Sequence, residues 1–456
     1  MNLLSSPSIK LPFGIHYSWL IVFALSIVQI FGTSISFSAG IMVAPLTNAS
    51  LGFGWNVALV GAGIGFYYLT GAIMAPITGY LGDRFGARKM LLCSALLYFA
   101  SMNLLGQITE VWHFFIVFGM MLAVTQSLAM VPLMATVSGW FKQKLGIGIG
   151  ILYAAGGIGA ALFAPIVGAS IETFGWNTTF MGLGCLGGSV LLSLLIIVRN
   201  HPSDLGLSPY GSEEGLVIHK LTPDEKQINK ENAKRFNKEV RKTAPFWYLP
   251  MIHGFGCAGH GVILIYILPF AIYKGAFDSL GAAGTILTVL SLVSIISRLT
   301  APILAESFGT RKMMFLSLTI QGLTVFWLMF AVDPWAFYVF AAVFGLGFGA
   351  EWTAYIVINK QYYGDGPMGH VYGVEQAGAL LGHAVATILC GMLLGLFNLF
   401  FNEGISFLMI FVVSILFNVV GLVFILMLQD TSKVIIPDWE SKISSEELSP
   451  LTDGAD

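Results

Sequence analysis

The sequence predicts an all-α membrane protein with twelve transmembrane helices in two pseudo-symmetric six-helix halves. Three observations carry that expectation. The 456 residues are 56% hydrophobic and only 10% charged, far below the roughly 25% charged residues of a typical soluble chain. Apolar stretches of about 20 residues, the length a helix needs to cross a bilayer, recur throughout. Finally, FGARKM (85–90) returns as FGTRKM (308–313), 223 residues later, each copy following the second apolar stretch of its half. A repeat at a fixed address marks an internal duplication.

The spans are expected over 18–42, 56–81, 88–108, 111–139, 145–170, 176–198, 246–273, 279–304, 312–331, 334–358, 370–397 and 404–429. The piece 199–245 breaks the pattern with nine Lys/Arg and seven Asp/Glu. It reads as a cytoplasmic linker between an N-terminal half (18–198) and a C-terminal half (246–429), and PDEKQINKENAKRFNKEVRK (223–242) is a candidate surface helix. Residues 1–17 are a cytoplasmic N-terminus, and the acidic, polar tail 430–456 has the composition of a disordered segment. Met1 to Phe13 lacks a cationic start and the next apolar run is too long for a signal core, so no cleavable signal is expected.

Orientation follows from the cations. An even number of spans puts both termini on one side. If that side is the cytoplasm, 20 of the 22 Lys/Arg lie inside, leaving Lys274 outside and Arg298 within a span, as the positive-inside rule requires. The expectation is a multi-pass protein of a plasma membrane or bacterial inner membrane with both ends cytoplasmic. A net charge of −2 with no basic face argues against nucleic acid. There is no phosphate-binding loop, nucleophile–base pair or metal cluster, so neither an enzyme nor a cofactor or metal is expected. Cys93, Cys185, Cys257 and Cys390 lie in apolar runs, too widely spaced for a metal knuckle, and read as small core hydrophobes.

The charge in GYLGDRFGARK (79–89) needs its own account. Positive-inside bias alone would explain Arg84, Arg88 and Lys89, but not Asp83, the glycines or the repeat. Gly79, Asp83, Arg84, Gly86, Arg88 and Lys89 match G-x-x-x-D-R-x-G-R-R/K, and the chain from Trp19 to Gln429 thereby resembles the major facilitator superfamily. The resemblance implies a monomeric secondary transporter in which this motif latches one side shut through bonds that a few kcal/mol can make and break. The second copy supplies Glu306, Arg311 and Lys312, with Ser307 at the place of Arg84.

Narrower likenesses follow. WFKQKLGIGIGILYAAGGIG (140–159), with Phe141, Lys144, Gly150 and Gly159 on its pattern, is similar to the monocarboxylate transporter and oxalate:formate antiporter group. RNHPSDLGLSPYG (199–211) and FGLGFGAEWTAYIVINKQYYG (344–364) resemble segments of its bacterial members. Two features depart: Tyr17-Ser18-Trp19 stands where animal monocarboxylate carriers have an acidic-glycine signature, and the eleventh span lacks the lysine of oxalate carriers. The small residues of 146–168 suit a sliding helix interface.

Ionisable groups inside a bilayer are costly and therefore functional candidates. The first half offers only His113, at the mouth of the fourth span. The second half has His253 and His260 on the seventh, Arg298 on the eighth, Glu351 on the tenth, and Glu375 and His383 on the eleventh. The resemblance implies that these four spans border a central cavity while the ninth and twelfth, which carry no ionisable group, face lipid. At about 1.5 Å per residue, His253, Arg298 and Glu351 each lie roughly 10 Å from the cytoplasmic ends of their spans, and so share a layer. His260 sits two turns deeper, near His383.

Arg298 occupies the place, eight residues before Glu306, where the resembling group carries a substrate-binding arginine. A guanidinium stays charged and grips a carboxylate with two parallel bonds; the alternative is a structural pair with Glu351. His260 and His383, with Tyr67, Tyr153 and Trp352 lining the cavity, complete the expected substrate site, and Glu351 and His253 are expected to couple protons. The expected function is secondary transport of a small organic anion, monocarboxylate-like, by proton symport or anion exchange. A carrier or exporter of another solute, or a non-transporting nutrient receptor, remains the alternative.

Overall fold

Helix ends fall where local chemistry places them. Asn56 accepts from Ala58 N at 2.8 Å to start one long helix, and Asn402 accepts from Ile405 N at 2.9 Å to start the last; such caps satisfy amide groups that a helix leaves unbonded. The computed structural model describes residues 15–37, 39–50, 52–212, 223–364, 368–429 and 435. The first span is α1 (Tyr17–Phe37) with α2 (Ala39–Thr47), followed by α3 (Val57–Phe85) and α4 (Ala87–Leu105). The fourth comprises α5 (Val111–Phe114), a π-helical stretch (Phe115–Leu122) and α6 (Ala123–Trp140), and α7 (Leu145–Leu194) holds the fifth and sixth. After α8 (Pro223–Val240) come α9 (Ala244–Tyr273), α10 (Leu280–Phe308), α11 (Thr310–Val325), α12 (Pro334–Tyr363), α13 (Gly369–Phe397) and α14 (Glu403–Met427).

Ten stretches of these helices are long and apolar enough to cross a membrane. One of them, 147–194, is two crossings in one, and α4 is a further 19-residue helix; the set is consistent with twelve. The sequence separates the fifth and sixth spans by a short loop, and here the structure differs. Only Gly175, at φ 79° and ψ 168°, leaves the helical conformation between Leu145 and Leu194. A positive φ is open to glycine without steric cost, so one residue replaces the loop. Gly86 (φ 82°) and Gly309 (φ 89°) break the chain the same way inside the two copies of the repeat. The duplication is thus visible in backbone geometry as well as in letters.

The 199–211 segment does not hang free. Tyr210 N donates to Trp140 O at 2.9 Å and Lys142 N to Tyr210 O at 3.0 Å, and Trp19 meets both Phe141 and Tyr210 edge-on. Two of the quoted sequence segments, far apart in the chain, clasp each other around the start of α1. Asn200 also accepts from Arg88 N at 2.9 Å, and its side chain fills the space a Cβ on Gly86 would need. The linker helix forms as α8, but not as a purely surface element: Phe236 and Val240 are buried among Phe246, Tyr362 and Tyr363.

The two halves meet through α3 on α13, α7 on α10 and α2 on α9. Glycines make these contacts backbone-close. A Cβ on Gly284 would lie 2.6 Å from Pro165 N, and one on Gly61 2.9 Å from Gly391 Cα. Thr288 Oγ1 donates to Ala161 O and Leu280 N to Glu172 Oε1, both at 2.5 Å, across the same seam. α9 is enclosed on every face from Gly256 to Ala271, as a helix apolar all round must be. The periphery is lined by exposed Leu, Ile and Phe such as Ile303, Leu323 and Phe330, the face that hydrocarbon would cover.

Candidate functional site

Four helices of the second half send side chains into one region. On α9, His253, Cys257 and His260 are spaced four and three apart; on α12, Phe348, Trp352, Tyr355 and Asn359 recur at four, three and four. Both spacings line one face of a helix. Arg298 approaches from α10, and Glu375 and His383 from α13. His253, His260, Arg298, Glu375 and His383 are all under 10% exposed, so each polar atom must find a partner inside the protein.

Arg298 is placed as a cation between aromatic faces. Its guanidinium carbon lies 5.5 Å from the centre of the Phe348 ring and 5.7 Å from that of Trp352, within cation–π range. One Nη donates to Tyr153 O on α7 at 3.1 Å, so the arginine spans the seam between halves. Its Nε has no hydrogen-bond partner, and among the described residues no carboxylate lies within ion-pair distance.

The structural pair with Glu351 is therefore not formed. Glu351 turns the other way, into the second half itself. Its Oε2 accepts from Gln321 Nε2 at 2.7 Å and lies 3.4 Å from His260 Nδ1, while Tyr355 OH donates to Oε1 at 3.3 Å. Glu351 and His260 are fully buried, and Gly256 leaves the room that the carboxylate occupies. Gln321 on α11 corrects one expectation: the ninth span carries no ionisable group, yet it supplies a buried amide to the acid.

A second pair repeats the arrangement two turns away. His253 Nδ1 lies 3.4 Å from Glu375 Oε1, Asn359 Nδ2 donates to the other carboxylate oxygen, and the His253 ring stacks on Tyr355 at 4.0 Å. His383 stacks on Tyr68 of α3 at 4.7 Å and meets His260 edge-on at 5.0 Å. His260 and His383 thus link the Glu351 pair to the interface between halves. Burial of a lone carboxylate is expensive, and a histidine–carboxylate pair removes the cost by holding one shared proton, whether as ion pair or as two neutral groups.

The structure gathers Arg298, Tyr153, Trp352, His260, His253, Glu351 and His383 into one region. Tyr67 is set apart: it stacks on Phe118 at 5.0 Å, within the first half, and the adjacent Tyr68 reaches the site instead. Sequence reasoning did not single out Tyr68, Gln321, Asn359 or Tyr355. Helical spacing on α12 was a signal for the last two only, Tyr355 standing four residues after Glu351 and Asn359 eight. Cys93 and Cys185 are exposed rather than in the core, whereas Cys257 and Cys390 are buried.

Of the repeated gating motif, Arg88, Lys89 and Lys312 are exposed. Arg311 Nε donates to Ile425 O at 3.0 Å and one Nη to Leu426 O at 2.6 Å, holding the carbonyl end of α14, where a cation is favoured. Gly79 lies within α3. The side chains of Asp83, Arg84 and Glu306 are outside the described residues.

Comparison with known proteins gives a family. The profile of the Major Facilitator Superfamily matches residues 20–275 and 261–445. An uncharacterized MFS-type transporter of Bacillus subtilis (strain 168), YcxA, is 30% identical over 146 residues, 32% of this chain and 36% of that protein. The oxalate:formate antiporter of Oxalobacter formigenes is 23% identical over 332 residues, 68% of this chain and 72% of the relative. The crystal structure of a D-xylose-proton symporter superposes with a TM-score of 0.71 at 15% identity, over 91% of this chain and 99% of that one, a likeness of fold.

Proposed function

The chain belongs to the major facilitator superfamily, a membrane transporter rather than an enzyme, and from that premise we propose that it carries a small organic monoanion, a monocarboxylate, by alternating access. The observation that carries this reading is the isolation of Arg298. It is buried and bonded to one carbonyl, with Nε free. The two acids nearby are each matched by a histidine. If each histidine–carboxylate pair is neutral with its shared proton, the layer is left with one uncompensated positive charge. One carboxylate, gripped by the guanidinium fork with its apolar body against Phe348 and Trp352, would neutralise it. That the oxalate:formate antiporter is named for carboxylates supports the same class.

Glu351 and His260, with His253 and Glu375, are the groups we assign to proton coupling. Both pairs lie in one half, and the first half offers no carboxylate at this depth. We place both termini in the cytoplasm on the distribution of Lys and Arg, and the linker 199–245 with them.

The test is uptake of labelled mono- and dicarboxylates into proteoliposomes, with and without an inside-alkaline pH gradient. Monocarboxylates should accumulate, and more so with the gradient. Transport of neutral solutes but no carboxylate would overturn the assignment of Arg298.

A further inference from the structure

We propose that Cys257, His260 and His383 form a binding site for a divalent metal ion of the zinc class, and that its occupancy arrests transport. The donor atoms of the three residues lie within 4.8 Å of one another, and all three side chains are buried. Both ring nitrogens of His260 and Nδ1 of His383 have no hydrogen-bond partner. Buried polar atoms without partners are rare, and two of these, His260 Nε2 and His383 Nδ1, converge with a thiol and ask for a common ligand.

The donors fit such an ion. Thiolate and imidazole at about 2.0–2.3 Å from a tetrahedral metal stand about 3.5 Å apart, so closure needs a contraction of about 1 Å or a little more, within reach of side-chain rotation. Cys257 and His260 come from one turn of α9, His383 from α13. Because His260 Nδ1 faces Glu351 at 3.4 Å, Nε2 is the nitrogen left for the metal. Glu351 would then orient the imidazole in the carboxylate–histidine–metal arrangement common to such sites.

Charge selects the ion. On binding, two protons leave, one from the Cys257 thiol and the one that Glu351 and His260 share, so the metal takes a thiolate and a neutral imidazole beside an ionised carboxylate. A divalent ion with one thiolate and the Glu351 carboxylate sums to zero in an apolar layer, whereas a monovalent ion leaves a buried negative charge. His383, at 7% the least buried of the three, is the point of entry. It also stacks on Tyr68 of the opposite half, so a metal that fixes His383 and occupies His260 would hold the seam and remove the imidazole from proton transfer. The arrest rests on the carrier reading above; the binding does not.

The experiment uses the full-length purified chain with Cys93→Ser and Cys185→Ser, which removes the exposed thiols, stripped of metal and titrated with Co2+. One ion per chain should bind, with a thiolate-to-cobalt charge-transfer band in the near ultraviolet. Adding Cys257→Ser should abolish that band and weaken Zn2+ binding by tenfold or more in equilibrium dialysis, and His383→Ala should weaken it similarly. Saturable binding that is unchanged in Cys257→Ser, or no binding in a chain that elutes as a single folded species, overturns the site. In proteoliposomes, Zn2+ should block carboxylate uptake by the parent and spare Cys257→Ser. Binding without inhibition overturns the arrest, and a chain that binds Zn2+ yet carries no carboxylate overturns the transport reading while leaving the site standing.

Discussion

Replacing Gly284 by alanine tests how closely the two halves must approach. A Cβ there would stand 2.6 Å from Pro165 N, 2.7 Å from Ala164 C and 2.7 Å from Pro165 Cα. Ordinary contact begins near 3.4 Å, so the deficit is about 0.8 Å, and the obstacles are backbone atoms that no rotamer can move aside. Gly281 against Ala169 and Gly168 against Leu280 pin the same seam one turn further along, so the strain falls on the packing of α7 against α10. Overpacking of this kind costs roughly 1–3 kcal/mol, about a 5- to 150-fold shift away from the arrangement seen here, toward one in which this end of the seam has parted. Spin labels at Phe174→Cys and Asp278→Cys, both exposed positions near that end, in a background lacking Cys93 and Cys185, would report it as a longer distance component. Gly395→Ala is the control, since its Cβ would meet Ala58 Cβ at an ordinary 3.4 Å. An unchanged distance distribution and turnover in Gly284→Ala would refute the idea that close glycine contact between α7 and α10 defines this state.

Other outcomes follow from the site and the repeat. Arg298→Lys keeps the charge but loses the planar fork, and should raise the KM for a carboxylate by roughly 5- to 150-fold, about 1–3 kcal/mol; parent-like kinetics in an uptake assay would exclude direct capture. Uptake by the parent should rise as external pH falls from about 8 to 6, because a proton is then a co-substrate supplied from outside. Glu351→Gln should flatten that dependence while leaving counterflow exchange of substrate for substrate, and a pH response of parental size would remove Glu351 from the coupling path. Gly86→Ala meets both a positive φ and the Asn200 side chain; it should lower the thermal midpoint of the purified protein, by a strain of order 1–3 kcal/mol, and a midpoint equal to the parent's would show that the turn relaxes freely.

Much of the architecture was legible in the chain, since a bilayer admits few solutions: every backbone group must be bonded within its own helix, so apolar runs near 20 residues declare crossings directly. The duplication was also legible, because FGARKM and FGTRKM mark the same turn, later seen as the paired positive-φ glycines 86 and 309. Arg298 stood out by the cost of burying its charge, and the expectation that it shares a layer with His253 and Glu351 came from counting helical rise. Partners were not legible. Glu351 and Arg298 lie at similar depth, and depth suggested a pair, but side-chain direction around a helix axis depends on which neighbour packs there. In the structure Phe348 and Trp352 face Arg298, while Glu351 meets Gln321 and His260 on another side of α12. Nor was it legible that Tyr68 rather than Tyr67 would face His383, or that Cys257 would join two histidines. Sequence determines what each helix can carry. Rotation and packing of the helices, fixed only when backbones close at their glycines, decide which of those groups meet.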